Sequence, residues 1–110
     1  CSPEKMGIGP GLSSPRALQR AGIKLADVDI IEMNEAFAAQ SLACVKELGI
    51  DMSKLNLHGG AISMGHPLGA SGARITGKAA SLLNETGKRY ALSTMCVGGG
   101  QGCATILERA

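Results

Sequence analysis

Three polar side chains in this 110-residue chain stand where acid–base chemistry could be done: Asn34, His66 and Cys96. Cys96 closes an apolar run and is followed at once by Val-Gly-Gly-Gly, where side-chain bulk vanishes and backbone N–H groups become available. A thiol placed there could meet a substrate; the alternative is the inert core cysteine that most free thiols are. His66 stands in Gly-His-Pro. The proline restricts it to extended geometry and the glycines leave room around its ring. Its imidazole could act as general base for a thiol or donate to a developing oxyanion, or it could simply bond loop carbonyls. Asn34 lies where a strand gives way to a helix. It can be read as the helix N-cap, or as an amide that holds a water or a carbonyl in the crevice at a strand's C-terminal end.

Other groupings carry less. His58 lacks comparable flanking and reads as structural or solvent-facing. A zinc site from His58, His66, Cys96 and Cys103 is conceivable by residue type, but no pair has finger-like spacing. GIGPG at 7–11 lacks the GxGxxG pattern and precedes a proline-started helix, which argues against dinucleotide binding, and no GxxxxGK[ST] is present. Cys1, Cys44, Cys96 and Cys103 show no CxxC spacing and read as reduced thiols.

The elements that must position these residues follow from pattern. Ser14, Pro15 and a closing Gly22 predict a helix capped at Ser14. The run Val28–Met33 predicts a mostly buried strand, and residues 35–48, ended by Gly49, a helix. A short strand near 55–57 leads into HGGAISMGHPLGASG, which reads as a partly buried loop. A helix over 71–84 follows, then strands over 90–97 and 103–108 joined by GGGQG as an antiparallel pair. This order predicts a three-layer α/β fold with a mixed sheet.

Composition sets the bounds. Aromatics are 2% of the chain, so the core must be aliphatic and alanine-rich, and sixteen glycines bunch around 59–77 and 98–102. A net charge of +2, with scattered Lys and Arg, implies no nucleic-acid partner. No apolar run approaches the roughly eighteen residues of a membrane span, and the N-terminus shows no secretory leader. The expectation is a soluble protein of a reducing compartment.

Taken together, MGIGP at 6–10, NEAFAAQ at 34–40, GGAISMGHPLGASGAR at 59–74 and CVGGGQG at 96–102 resemble the C-terminal domain of thiolases, in order and spacing. The resemblance covers nearly the whole chain. It implies the second half of a duplicated α/β/α enzyme, lacking the first strand of its mixed sheet and so leaving an open edge beside the final strand. The implied chemistry is reversible Claisen condensation of acyl-CoA, or thiolysis of 3-ketoacyl-CoA. No cofactor is implied beyond coenzyme A thioesters as substrates.

By the same resemblance, His66 looks like the base that activates the nucleophilic cysteine and helps hold the thioester oxygen. Cys96 looks like the second reactive cysteine. Asn34 would position a water that forms one oxyanion hole with His66, and the N–H of Gly98 would serve the other. Met6, Ala36 and Phe37 would line the pantetheine and acyl tunnel, with core packing as their other reading. No cysteine here sits in the motif of the acylated nucleophile, so the chain alone should not turn over. It implies acyl-CoA substrates, an N-terminal half as partner, a homo-oligomer in the intact enzyme, a cytoplasmic or organelle-matrix location, and neither nucleic acid nor membrane. Ser63-Met64 departs from the family's pattern beside His66. The competing reading is a non-catalytic acyl-CoA or lipid-binding relative of the same fold, or an inactive excised fragment.

Overall fold

The computed structural model describes residues 1–110 and places three strands between two layers of helix. Helix α1 (Gly9–Ala21) is followed by β1 (Ile30–Met33), α2 (Ala38–Leu48), the single turn α3 (Ala61–Met64), the long α4 (Leu68–Thr86), and the strands β2 (Tyr90–Val97) and β3 (Gln101–Glu108). The sheet order is β1-β2-β3, parallel between β1 and β2 and antiparallel between β2 and β3.

Strand alternation divides the apolar residues between two faces. Ile31 of β1 and Leu92 of β2 pack with Leu18 of α1, Val28 and Ile50, joined by Val45 and Leu48 of α2. Ile30 and Ala91, their neighbours in sequence, turn to the other face and pack on Ala79, Leu82 and Leu83 of α4. All four residues of β1 are buried, because helices cover the strand on both sides. The α/β/α layering and mixed sheet expected from the order of elements are therefore present.

Several boundaries differ from expectation for identifiable reasons. Helix α1 begins at Gly9, with Pro10 in its first turn, so Ser14 is inside the helix and not its cap. Its buried hydroxyl donates to Thr94 Oγ1 (3.1 Å), which itself donates to the Cys103 carbonyl (3.0 Å). A polar chain thus ties α1 to both strands of the hairpin. The end at Gly22 is as read: its φ of +70° lets the N–H groups of Gly22 and Ile23 reach back to Gln19 and Leu18. The expected strand at 55–57 is reduced to a single bridge between Leu55 and Ile31. The expected loop at 58–72 contains α3 and the start of α4, and it is more exposed than expected, with Ile62, Met64 and Leu68 open to solvent. The last strand starts at Gln101, two residues early, where a Cβ on Gly102 would strike the Gly9 carbonyl; this glycine lets α1 lie directly on the strand.

β3 is the terminal strand and no strand pairs with its outer side. A concavity of about 750 Å³ runs between β3 and α1, lined by Leu12, Arg16, Cys103 and Ile106 among others.

Candidate active site

The site is built at the C-terminal ends of β1 and β2. β1 is ended by Asn56, which holds a left-handed backbone (φ +45°) that asparagine tolerates better than most residues. Its N–H donates to the Ile31 carbonyl (2.8 Å). Its side-chain amide then pairs with Met33, accepting from the Met33 N–H and donating to the Met33 carbonyl, both at 2.9 Å. An amide side chain here stands in for one residue of a neighbouring strand. Nothing in the spacing of Asn56 marked it beforehand.

Asn34 follows immediately, its own N–H donating to the Thr94 carbonyl (3.0 Å). It is not the N-cap of α2. That helix begins at Ala38, after Phe37 and an extended turn, so the Asn34 side chain is free for another partner. The partner is His66: Asn34 Nδ2 lies 3.3 Å from His66 Nε2. Asn34 is fully buried, and its Oδ1 has no hydrogen-bond partner in the protein. A buried, unengaged carbonyl is a group that asks for a donor, which a water or a protonated imidazole could supply.

His66 is aimed by what flanks it. Gly65 has φ +95° and ψ 166°, a region essentially closed to residues with a Cβ. Pro67 caps α4 with extended backbone. On the far side of the ring, Nδ1 lies 2.5 Å from Ser71 Oγ, which donates its own proton to the Pro67 carbonyl (3.2 Å). Glu35 braces the same loop from below: its carboxylate accepts from the Ile62 N–H (3.2 Å) and fills the space that a Cβ on Gly60 would need.

Cys96 is buried near the end of β2, and burial pushes its thiol pKa up, against a smaller downward pull from its backbone. Thr94 stands opposite Met33 in the parallel register, so Cys96, two residues on, overhangs the end of β1 where Asn34 begins. No hydrogen bond joins Cys96 to His66 or Asn34. Gly98 lies exposed in the turn after β2, with no hydrogen bond from its N–H and open space where a side chain would be. The structure therefore brings Asn34 and His66 into contact and puts Cys96 and Gly98 at the same end of the sheet.

Of the three apolar candidates, Met6 and Ala36 are half-buried and Phe37 is 66% exposed, so Phe37 is not a core residue of this chain. Phe37 shares its exposure with Ile62, Met64 and Leu68, which flank His66 in sequence. His58 is exposed and pairs with Lys78 (3.1 Å), away from the cluster. The other three cysteines take no part: Cys1 and Cys103 are exposed, and buried Cys44 donates to the Gly7 carbonyl.

One further buried group lies on β1, two residues before Asn34. Glu32 is almost wholly shielded, and burial raises its carboxyl pKa to about 7 although Arg74 and Lys78 pull it down. Its Oε1 and the Nε and Nη2 of Arg74 are without hydrogen-bond partners.

The family described as thiolase, C-terminal domain, matches residues 1–109. Beta-ketothiolase BktB of Cupriavidus necator is 57% identical over 107 residues, covering 97% of this chain and 27% of the relative. A 3-ketoacyl-CoA thiolase of Vibrio vulnificus is 54% identical over 112 residues, covering 99% of this chain and 29% of the relative. Among solved structures, human mitochondrial 3-ketoacyl-CoA thiolase superposes on the entire chain with a TM-score of 0.98 at 49% identity, using 28% of its own length, and it is also known in complex with CoA. The chain thus spans little more than a quarter of the proteins it matches.

Proposed function

The chain belongs to the thiolase family as its C-terminal domain, and on that premise we propose that it supplies the acid–base and oxyanion half of a thiolase active site. The observation that carries this reading is the His66 ring held between Ser71 and the buried amide of Asn34. The full-length enzyme would catalyse reversible acyl transfer between acyl-CoA and 3-ketoacyl-CoA, with the acylated cysteine carried outside these residues.

In thiolysis, His66 Nε2 takes the proton of that nucleophilic cysteine, whose thiolate attacks the 3-keto carbonyl. The carbon–carbon bond to the α-carbon then breaks, leaving the acyl group on the cysteine and an enolate on the departing acetyl-CoA. Having gained a proton, His66 becomes a donor, and with a water held by Asn34 it stabilises the enolate oxygen. The N–H of Gly98 serves the oxygen of the acyl-enzyme. Cys96 gives its proton to the α-carbon. Its thiolate then takes the proton of incoming CoA, whose sulfur accepts the acyl group, and the nucleophilic cysteine leaves as a thiolate that takes back the proton held by His66. A thiol whose pKa is raised by burial suits both steps, being protonated when an acid is needed and strongly basic once ionised. Condensation runs the same sequence backwards, with the Cys96 thiolate taking the α-proton.

Met6, Ala36 and Phe37 are assigned to the pantetheine and acyl path, and the exposure of Phe37 beside the site supports this. We also assign coenzyme A thioesters as the substrates, with no resident cofactor and no nucleic-acid partner. The working form is a homo-oligomer in the cytoplasm or an organelle matrix. No helix is long and apolar enough to cross a membrane.

Thiolysis of acetoacetyl-CoA by the full-length enzyme tests the reading. Replacing Asn34 by Ala should lower kcat by about 10²–10³-fold, the effect of removing one oxyanion donor. His66→Ala and Cys96→Ser should each lower it at least as far. Unchanged turnover in the latter two would overturn the catalytic roles, and CoA binding without turnover in the unmodified protein would favour a non-catalytic acyl-CoA carrier.

A further inference from the structure

We infer that Ser71 is a positioning residue that fixes the tautomer of His66 and thereby makes Nε2, not Nδ1, the working nitrogen. The inference rests on the reading of His66 as the base.

Ser71 is fully buried in the first turn of α4. A serine in that place has a ready structural role, bonding back to the carbonyl four residues earlier, and it does so: Oγ donates to the Pro67 carbonyl at 3.2 Å. The Ser71 N–H donates to that same carbonyl at 3.0 Å. Asn34 Nδ2 can only donate, so the ring meets it with Nε2 as acceptor, and the serine, its proton turned to Pro67, meets Nδ1, 2.5 Å away, as an acceptor. Nδ1 must then carry the hydrogen. In a neutral imidazole this leaves the lone pair on Nε2, facing the N–H of Asn34 Nδ2 at 3.3 Å.

The reversed tautomer would set the Nε2 hydrogen against the Asn34 donor and would draw the Ser71 proton from the Pro67 carbonyl to Nδ1. The helix start, the proline carbonyl and the asparagine amide thus agree on one state of the ring. When Nε2 takes a proton its contact with the Asn34 donor is given up while the Nδ1–H bond to Ser71 is kept, so the ring passes from base to donor without turning.

The experiment uses the full-length enzyme with Ser71→Ala, Ser71→Thr and Ser71→Cys. Removing a neutral outer partner that orients a histidine costs about 10- to 100-fold at metal-bound histidines, and we take that range here. Ser71→Ala should therefore lower kcat for thiolysis in that range while KM for acetoacetyl-CoA stays within about twofold, and ¹⁵N NMR of the histidine ring should show a mixture of tautomers in place of Nδ1–H alone. Ser71→Thr keeps an oxygen acceptor and should recover most of kcat. Ser71→Cys, nearly the same shape but a weak acceptor, should resemble Ala, which separates the hydrogen bond from packing. In a His66→Ala background, Ser71→Ala should cost little more. A Ser71→Ala enzyme with kcat within twofold of the parent and an unmixed Nδ1–H ring would overturn the inference, as would an undiminished Ser71 effect in the absence of His66. If His66→Ala itself kept full turnover, the fault would lie with the role of His66 and not with Ser71.

Discussion

At the scale of single residues, the site is a set of engaged and unengaged hydrogen-bonding groups. Asn34 shows the difference this makes: its residue type suits a helix cap, but the chain runs extended through Phe37 before α2 begins, and the amide is left to His66. Sequence could identify Asn34, His66 and Cys96 as candidates from their flanking residues. It could not pair them, because 32 positions separate Asn34 from His66 and only the fold closes that distance. Ser71 and Asn56 escaped notice because each acts through one backbone or ring atom that leaves no periodic mark. Glu32 offers a test of buried charge. Its folded pKa of about 7 exceeds the ordinary 4.5, so the stability it contributes as a neutral acid is present below about pH 4.5 and is lost as pH rises through 7. Glu32→Gln should unfold like the parent at pH 4.5 and be more stable by about 1–3 kcal/mol at pH 8, the scale of a buried unpaired polar group. Denaturant unfolding at the two pH values reads this directly. An identical difference at both would show that the carboxyl does not titrate on that path.

Among the elements, the loop between α2 and α4 does most to shape the site. The α4 and β2 patterns were legible because their apolar residues repeat with helical or strand spacing over many positions, and Gly87 ends α4 as read. The stretch before α4 has no such repeat, so α3 and the early start of α4 at Leu68 were not visible. Its conformation depends on Gly65, whose φ of +95° is a backbone demand and not a packing one, since open space surrounds the position. Gly65→Ala should therefore cost about 1–3 kcal/mol of stability and also lower kcat, because the residue it displaces is His66. Calorimetry and thiolysis on the same sample check it. A loss of stability with full activity would mean that the loop can reach the His66 geometry by another route.

At the scale of the whole molecule, the chain spans little more than a quarter of the proteins it matches. The open edge of β3, the groove between β3 and α1 and the exposed Phe37, Ile62, Met64 and Leu68 all lie on surfaces that a self-contained enzyme would cover. The open edge was foreseeable from the family's strand order; the reduction of the strand at 55–57 to one bridge was not, since it depends on how Asn56 turns the chain away. Residues 1–110 expressed alone should self-associate progressively with rising concentration in sedimentation, and should instead form a single oligomer of fixed size when joined to the N-terminal thiolase sequence. A monomer at all concentrations would mean the edge is protected by means the fold does not show. The central claim, that this domain moves the α-proton while the acyl group is carried elsewhere, is tested most directly by exchange at the acetyl α-carbon. The full-length enzyme incubated with acetyl-CoA in deuterated water should incorporate deuterium there. Cys96→Ala should abolish the incorporation while leaving acetylation of the enzyme's nucleophile detectable by mass. Exchange that continues without the Cys96 thiol would contradict the account.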